Sequence, residues 1–215
     1  MYKLYNVKAW GSLAVHCLLE EMEVPYTNIW MNPDQVREPD FRTISPLGVI
    51  PVLGLPDGRA LFESAAIVTF LLAAHAGKRM SPELGSGDYG EFMSVLHFMS
   101  TEIYPTTSLS YPGNYFADTP EQDTACIAKA VAKADGYWAV LEQRLADAGP
   151  WLMGETYSAL DPYCFMLTLW GKPSEEAFRE RFPNVARLAT QVRDRPKLKA
   201  VLQSHGVLDV GGYGS

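Results

Sequence analysis

The sequence is poor in cysteine, and its three cysteines form no recognisable pattern. Cys17, Cys126 and Cys164 are far apart, their number is odd, and they include no C-x-x-C pair. A disulfide framework needs paired cysteines, and a zinc ribbon needs closely spaced ones. The sequence therefore argues against both and is typical of a protein from a reducing compartment.

The chain also lacks long apolar runs and an excess of positive charge. No stretch approaches the ~18 consecutive apolar residues of a membrane-spanning helix, and the first residues do not resemble the apolar core of a signal peptide. Lys and Arg number 18 against 25 Asp and Glu, which gives a formal net charge of -7. That charge disfavours a nucleic-acid partner. We therefore expect a cytoplasmic protein with no nucleic-acid partner and no membrane association.

The histidines do not form a metal-binding pattern. The sequence has four of them, and they are scattered without an H-x-x-x-H or H-x-E arrangement: His16, His75, His97 and His205. Metal sites built from histidine usually bring two or more ligands from such short motifs. We therefore expect no metal cofactor.

The N-terminal third begins with a strand, a helix and a second strand. Short apolar and aromatic segments at 2–6 and 26–30 indicate the strands. Between them, Val15, Leu18 and Leu19 begin an i, i+3, i+4, i+7 spacing that marks one face of a helix. This order predicts a βαβ unit with a right-handed crossover.

A hairpin and another helix complete this part of the chain. The segments 50–55 and 59–62 flank Pro56-Asp57-Gly58, which is a tight-turn sequence. Ser64 occupies the expected N-cap position of the helix that follows. The order βαβ, short helix, ββα is that of a thioredoxin-like α/β domain, and other small α/β sandwiches share it.

Only helix patterns follow a Gly-, Ser- and Pro-rich joint at 81–87. Apolar spacing predicts one long helix through 92–103 and another through 127–145. Thr119, Pro120 and Gln122 supply an N-cap, a proline at N1 and a capping-box partner for the second one.

Ser158 and Asp161 form a second predicted capping box, ahead of an aromatic-rich helix that runs to Trp170. All the patterns after the joint are helical. We therefore predict an α/β domain at 1–78, a linker at 79–87 and an all-helical domain at 88–215.

Several motifs together resemble those of the glutathione transferase superfamily. The segment S-P-L-G-V-I-P-V-L at 45–53 resembles N-P-x-G-x-V-P-x-L, and E-S-A-A-I at 63–67 resembles E-S-x-A-I. Gly154 with the box at 158–161 resembles the capping box of helix 6, and F-P-N at 182–184 resembles the C-terminal helices. Each motif is common by chance, but the combination covers nearly the whole chain. The resemblance implies a thioredoxin-like domain followed by an all-helical domain, glutathione as co-substrate and a homodimer.

The resemblance also implies a binding clamp for glutathione. A cis Ile50-Pro51 bond would turn the Ile50 backbone toward the cysteinyl part of glutathione, as an added strand would lie. The helix start at Ser64 suits the γ-glutamyl carboxylate, and Glu63 suits its ammonium group. From the residues alone, Pro51 could equally close an edge strand and Ser64 could be a plain N-cap.

The group that activates the thiol is less clear from the sequence. The segment G-S-L-A-V-H at 11–16 resembles C-S-L-x-P-H of bacterial beta-class transferases, with Gly11 in place of the family's cysteine. The resemblance makes Ser12 the first candidate for the catalytic hydroxyl. Tyr5, at the end of the first strand, is the alternative, and a backbone N–H is the third choice.

A second departure from the beta class lies further along the chain. The segment S-T-E-I-Y at 100–104 resembles S-T-E-L-H, whose histidine faces the active site, and Tyr104 replaces that histidine. Tyr104, Trp10, Tyr111 and Tyr115 are therefore candidates for the pocket of the electrophile. Aromatic residues at helical spacing are nevertheless more often part of the core.

The resemblance implies a detoxification enzyme that joins the glutathione thiolate to a hydrophobic electrophile. A glutathione-dependent isomerase, dehalogenase or ether-cleaving enzyme could use the same site. A non-catalytic regulatory or assembly module is an alternative of another class, since fold alone does not decide function. Retention of Pro51, Glu63 and Ser64 favours an enzyme.

Overall fold

A four-stranded mixed sheet forms the centre of the N-terminal part of the chain. The computed structural model describes residues 1–113, 116–171 and 175–208. The strands are β1 (Tyr2–Asn6), β2 (Tyr26–Trp30), β3 (Val52–Gly54) and β4 (Ala60–Phe62). Their order is β2-β1-β3-β4, with β2 parallel to β1 and the other two pairings antiparallel. The predicted hairpin is confirmed, with shorter strands than the sequence indicated.

Helices cover both faces of this sheet, so that β1 alternates between two apolar clusters. Helices α1 (Ser12–Glu21) and α3 (Ser64–Ala74) belong to the larger cluster, together with Leu4 of β1. The short helix α2 (Pro33–Arg37) and the 3₁₀ turn Pro39–Thr43 belong to the smaller one, against which Tyr5 packs. This arrangement confirms the predicted thioredoxin-like α/β fold.

After position 86 the regular elements of the described residues are helices, apart from two isolated β-bridges between residues 151 and 156. The elements are α4 (Gly87–Phe98), a π turn (Met99–Ile103), α5 (Tyr104–Ser108), α6 (Pro120–Ala148), α7 (Leu160–Thr168), α8 (Glu175–Arg181), α9 (Pro183–Arg193) and α10 (Lys199–His205). The all-helical prediction is confirmed. None of the helices among the described residues is long and apolar enough to cross a membrane.

The helix predicted through 92–103 continues beyond its expected end by way of the π turn. This turn makes the helix wider and shifts its register just before Tyr104. Apolar periodicity assumes 3.6 residues per turn and cannot show such an insertion. The direction in which Tyr104 points is therefore a feature that only the structure gives.

The start of α6 lies where the sequence placed it. The Thr119 Oγ1 accepts the Gln122 N–H at 3.3 Å, and Pro120 is the first helical residue. A capping box requires the Gln122 carboxamide to accept from the N–H of Thr119. It accepts from the N–H of Asp118 at 2.7 Å. The N-cap is confirmed, and the reciprocal half of the predicted box is displaced by one residue.

Helix α7 is the buried helix that joins the two parts of the chain. All nine of its residues are buried, and it packs against α1 on one side and α9 on the other. The N–H of Ala159 donates to the Met80 carbonyl at 2.9 Å, which ties the start of α7 to the joint. Because the last sheet-covering helix ends before this joint and only helices follow it, we propose the domain division of the sequence prediction, 1–78, 79–87 and 88–215.

Candidate active site

The loop between β1 and α1 brings Trp10, Gly11 and Ser12 to the start of α1. Gly11 is the N-cap residue of the helix, and Ser12 is its first residue. The Ser12 hydroxyl donates to the Val7 carbonyl and accepts the Val7 N–H, both at 3.2 Å, and the residue is fully buried. These bonds close the turn that leads from the strand into the helix. The catalytic role predicted for Ser12 stays a prediction.

Tyr5, the alternative hydroxyl, lies on the other side of the sheet from α1. Its ring packs against Phe41 at a centroid distance of 5.8 Å. It also borders the smaller apolar cluster, which contains Ile50 and Val52. The packing of Tyr5 accounts for an aromatic residue in this strand, and its catalytic role stays a prediction as well.

Tyr104 reaches the start of α1 from the helical part of the chain. A Cβ atom built on Gly11 would lie 2.2 Å from the Tyr104 hydroxyl oxygen and 3.1 Å from the ring carbon that carries it. Burial and the charge of Glu63 raise the pKa of Tyr104 to about 12, while the Gly11 N–H beside its oxygen acts in the opposite direction. The hydroxyl therefore occupies the space that a side chain at position 11 would fill, and it stays protonated at neutral pH.

The segment before β3 presents a backbone edge at Ile50, which belongs to the smaller apolar cluster together with Val7. The Ile50-Pro51 peptide bond is cis, as the resemblance implied. The Ser45 hydroxyl bonds both the N–H and the C=O of Val49, at 3.0 and 2.9 Å. Among the residues that the structure describes, none is hydrogen-bonded to the N–H or C=O of Ile50. A peptide-like ligand can therefore pair with that residue as an added strand does.

Glu63 and Ser64 begin α3, but not with the cap that the sequence predicted. Glu63, not Ser64, is the N-cap residue, and no side chain caps the helix. The buried Ser64 hydroxyl bonds the Tyr163 hydroxyl of α7 at 2.7 Å. Tyr163 is fully buried, so Ser64 is the member of this pair that reaches toward the surface. The N-cap prediction for Ser64 is wrong because its hydroxyl has a partner 99 positions away.

The backbone at Glu63 is in a conformation that non-glycine residues rarely adopt. Its φ angle is 68° and its ψ angle is 111°. Such a conformation costs about 1–3 kcal/mol and is found most often at ligand sites. The Glu63 side chain is exposed beside the start of α3, where the helix dipole favours a bound carboxylate.

An aromatic cleft of about 300 Å³ opens beside Tyr104. Its walls come from the loop before α1, from α5 and its C-terminal extension, and from the end of α7: Trp10, Tyr104, Thr107, Ser108, Tyr111 and Trp170. Three of the four predicted pocket residues, Trp10, Tyr104 and Tyr111, thus line the same cleft. The fourth, Tyr115, lies outside the described residues. Trp170 was missed as a pocket residue, since the sequence showed it only as the end of an aromatic-rich helix.

Two domain families match the chain in succession. Residues 12–74 match the family described as glutathione S-transferase, N-terminal domain, and residues 111–205 match the glutathione S-transferase C-terminal domain. The first match includes Gly48, the cis Ile50-Pro51 bond and Ser64, and the second includes α6 to α10. The chain belongs to the glutathione S-transferase superfamily.

Several known proteins are similar to this chain, and the chain covers different shares of their length. The uncharacterised GST-like protein YncG of Escherichia coli strain K12 is 27% identical over 97% of this chain and 100% of its own length. Elongation factor 1-gamma of Carassius auratus is 33% identical over 77% of this chain, which spans only 36% of that protein. A sphingomonad glutathione S-transferase complexed with glutathione has a TM-score of 0.80 at 24% identity, covering 95% of this chain and 99% of that one.

Two buried histidines hold the loop that carries Trp10 and Gly11. The N–H of Ala9 donates to Nδ1 of His205 at 3.1 Å, so the hydrogen of this ring is on Nε2, which bonds Nδ1 of His16 at 2.9 Å. Trp170 completes the support by donating its ring N–H to the Ala9 carbonyl at 3.2 Å. The start of α1 is thus held both by α10 and by the segment that follows α7.

Both histidines are expected to stay neutral well below the usual pH of histidine titration. Burial lowers the pKa of His16 to about 4, and burial, His16 and Lys8 together lower that of His205 to about 3. Proton NMR should show their ring signals unshifted between pH 8 and pH 5. Titration of either ring with a midpoint near 6.5 would contradict this.

The same pKa values set the sign of the dependence of stability on pH. In the unfolded chain both rings bind a proton as the pH falls through about 6.5, whereas in the folded chain they do so only near pH 4 and below. The unfolded state therefore binds more protons in this window. These two histidines therefore lower the free energy of unfolding as the pH falls from about 6.5 to 4.

Proposed function

We propose that this chain is an enzyme that conjugates glutathione to a small hydrophobic electrophile. The observation that supports the proposal is the combination of three features in one chain: a free backbone edge at Ile50, a helix start with Ser64, and an aromatic cleft. A zwitterionic peptide thiol needs the first two, and an apolar co-substrate needs the third. Solved relatives that bind glutathione support the same assignment.

The clamp would hold glutathione by its γ-glutamyl end and its middle. The Ile50 N–H and C=O would pair with the cysteinyl backbone, and Ser64 with the free N–H groups of α3 would bind the γ-glutamyl carboxylate. Glu63 would face the γ-glutamyl ammonium group. The Tyr163 hydroxyl lies 2.7 Å from that of Ser64. In the proposed complex Tyr163 would be the donor of this bond, which would leave the Ser64 hydrogen for the ligand.

The chemistry depends on ionising the thiol. A free thiol has a pKa near 8.5, so only a few per cent is thiolate at pH 7. The sulfur would lie between the clamp and the cleft, where the start of α1 and a hydroxyl can stabilise its negative charge. The cleft, with Trp10, Tyr111 and Trp170 on its walls, would hold a flat apolar substrate against the sulfur.

Replacement of Ser64 with alanine is expected to weaken glutathione binding by about 1–3 kcal/mol. The bound carboxylate loses a hydroxyl donor in a partly dry site, and hydrogen bonds to charged groups are the stronger ones. Calorimetric titration with glutathione measures the change. Ser94→Ala is the matched control, since the Ser94 hydroxyl bonds only the Gly90 carbonyl of its own helix. Equal affinities for the two variants would remove Ser64 from the clamp.

The reaction class is decided by a screen of electrophiles with glutathione. Aryl halides and epoxides test conjugation, peroxides test reduction, and aryl ethers test ether cleavage. We expect glutathione-dependent turnover of at least one aryl halide or epoxide that fits the cleft of about 300 Å³. Turnover of aryl ethers or isomerisable substrates alone would favour the lyase or isomerase alternative.

A non-catalytic assembly or regulatory module is the second candidate. The 33% identity to elongation factor 1-gamma supports it, because that relative is named as a translation factor rather than as a transferase. Retention of the chain on a glutathione affinity resin, with elution by free glutathione, favours the enzyme. Failure to bind the resin favours the module.

We also propose that the chain forms a homodimer in the cytoplasm. Three large apolar side chains around the clamp are at least 39% exposed: Leu47, Val49 and Phe62. A second copy would remove such side chains from water. Light scattering of the purified chain should give twice the mass of 23.9 kDa, and a mass of one chain would refute the dimer.

A further inference from the structure

We propose that Tyr104 is the residue that activates the thiol, through a hydrogen bond from its hydroxyl to the glutathione sulfur. The inference rests on the proposed function. It assigns the catalytic donor to the helical domain rather than to β1 or to the first turn of α1.

The contact between Tyr104 and Gly11 is the first observation. The φ and ψ angles of Gly11 are -57° and -18°, a conformation that any residue adopts. Glycine is therefore not needed for the backbone at this position. It is needed for space, because a Cβ would lie 2.2 Å from the Tyr104 hydroxyl oxygen. The hydroxyl thus lies at the N-cap of α1, where a side chain at position 11 would otherwise be.

The nearness of Tyr104 to both the clamp and the cleft is the second observation. Its ring lines the cleft and lies 5.1 Å from the Trp170 ring, measured between centroids. Tyr104 is also close enough to Glu63 for that charge to raise its pKa. A sulfur that is held by the clamp and directed at a substrate in the cleft would come near this hydroxyl.

The surroundings of the Tyr104 hydroxyl favour its acting as a hydrogen-bond donor to a ligand. The Gly11 N–H lies beside the Tyr104 oxygen, so the oxygen can accept from the backbone while its hydrogen points to a ligand. Hydrogen bonds in such a chain strengthen one another. The hydrogen bonds would then run from the Gly11 N–H to the Tyr104 oxygen and from the Tyr104 O–H to the thiolate. Through this series the positive end of the α1 dipole would also stabilise the negative charge of the sulfur.

The other nearby hydroxyl groups have different partners. The hydrogen of Ser12 is used by the Val7 carbonyl in a fully buried turn. The hydroxyl of Tyr163 bonds Ser64 in the interior. Tyr5 packs against Phe41 on the face of the sheet away from α1.

The reaction needs no proton from Tyr104. The thiol loses its proton to solvent, and the thiolate that remains accepts the Tyr104 hydrogen bond. The sulfur lone pair then forms a bond to carbon while the bond from that carbon to the leaving group breaks, and the leaving group departs with its electron pair. Tyr104 keeps its proton throughout, in keeping with a pKa of about 12.

The test is a thiolate absorbance titration of glutathione bound to the full chain and to Tyr104→Phe. We expect the pKa of the bound thiol to rise by about one to two units, since a hydrogen bond to a charged group is lost. Turnover at neutral pH should fall about ten- to a hundred-fold and recover at higher pH, while glutathione affinity changes less than about two-fold. Tyr89→Phe makes the same chemical change on α4, outside the cleft, and should leave the thiol pKa unchanged.

A second variant tests the contact itself. In Gly11→Ala the added methyl group displaces the Tyr104 hydroxyl, so the thiol pKa should rise as it does in Tyr104→Phe. Adding Gly11→Ala to Tyr104→Phe should raise it little further, because the hydroxyl that the methyl group meets is already gone. Fully additive shifts would overturn the assignment.

The remaining outcomes separate this inference from the proposed function. If the unaltered chain binds glutathione and lowers its thiol pKa, but Tyr104→Phe does not change that pKa, the assignment of Tyr104 is wrong. A larger shift in Ser12→Ala or Tyr5→Phe than in Tyr104→Phe overturns it in favour of that residue. If the unaltered chain neither binds glutathione nor lowers its thiol pKa, the proposed function fails and the inference fails with it.

Discussion

Replacement of Glu21 with alanine is expected to lower the free energy of unfolding by about 3 kcal/mol. Only 3% of the Glu21 side chain is exposed, at the end of α1. Both its oxygens bond the Arg195 guanidinium, and Tyr157 donates to it at 3.2 Å. Loss of the carboxylate leaves a half-buried cation and a buried hydroxyl without their acceptor. The value is at the lower end of the range for buried pairs because 30% of the Arg195 side chain remains exposed to water.

A neighbouring ion pair provides the control for this prediction. Glu23 and Lys197 join the same two segments at 3.0 Å, but 67% and 48% of their side chains are exposed. Exposed pairs contribute little to stability, so Glu23→Ala should give no clear change. Urea denaturation of both variants measures the difference. A loss for Glu21→Ala as small as that for Glu23→Ala would show that the buried pair does not hold the C-terminal segment to α1.

Asp161→Ala is expected to destabilise the fold by about 2–4 kcal/mol, more than the loss of an ordinary helix cap. One oxygen of the buried carboxylate accepts the Leu152 N–H at 2.9 Å, and the other accepts the Ser158 N–H at 2.7 Å. An alanine leaves both N–H groups buried without an acceptor, at a cost of about 1–3 kcal/mol each. Burial raises the pKa of Asp161 to about 7, and the two N–H groups act in the opposite direction.

Thr119→Ala is the matched control because it removes the cap of α6 at an exposed position. Its expected cost is about 0.5–1 kcal/mol. In a chain of this size 1 kcal/mol corresponds to about 2–4 °C in Tm, so thermal unfolding separates the two variants. Equal shifts in Tm would mean that Asp161 is only a cap. Glutathione affinity should not change in either variant.

Local signals in the sequence predicted local structure well. The residues that start α6 and the bounds of β1 and β2 follow from capping and alternation rules that act over three to five positions. The capping box at Ser158 also follows from them, since Asp161 bonds the Ser158 N–H. The second bond of Asp161, to Leu152, crosses nine positions and has no local signal. Capping rules therefore cannot predict this second role of Asp161.

The candidate active site depends even more on contacts that local sequence patterns cannot predict. Gly11 and Tyr104 were both noted as departures from the beta-class pattern, but their contact depends on the π turn before Tyr104 and on the approach of the Tyr104 side chain to the start of α1. Ser64 was predicted to lie at a helix start and is the first residue of α3, yet its partner Tyr163 comes from α7. Trp170 closes the cleft from the end of the same helix. The Gly11–Tyr104 and Ser64–Tyr163 pairings, across 93 and 99 positions, are set by tertiary packing, which periodicity does not report.

The most direct test of the account is the ionisation of glutathione bound to the unaltered full chain. Thiolate absorbance is measured against pH with and without protein, at saturating glutathione. The account predicts a bound thiol whose pKa lies about two units below the free value of roughly 8.5, so that most of it is thiolate at pH 7. Binding without any lowering of the thiol pKa, or no binding at all, would contradict it.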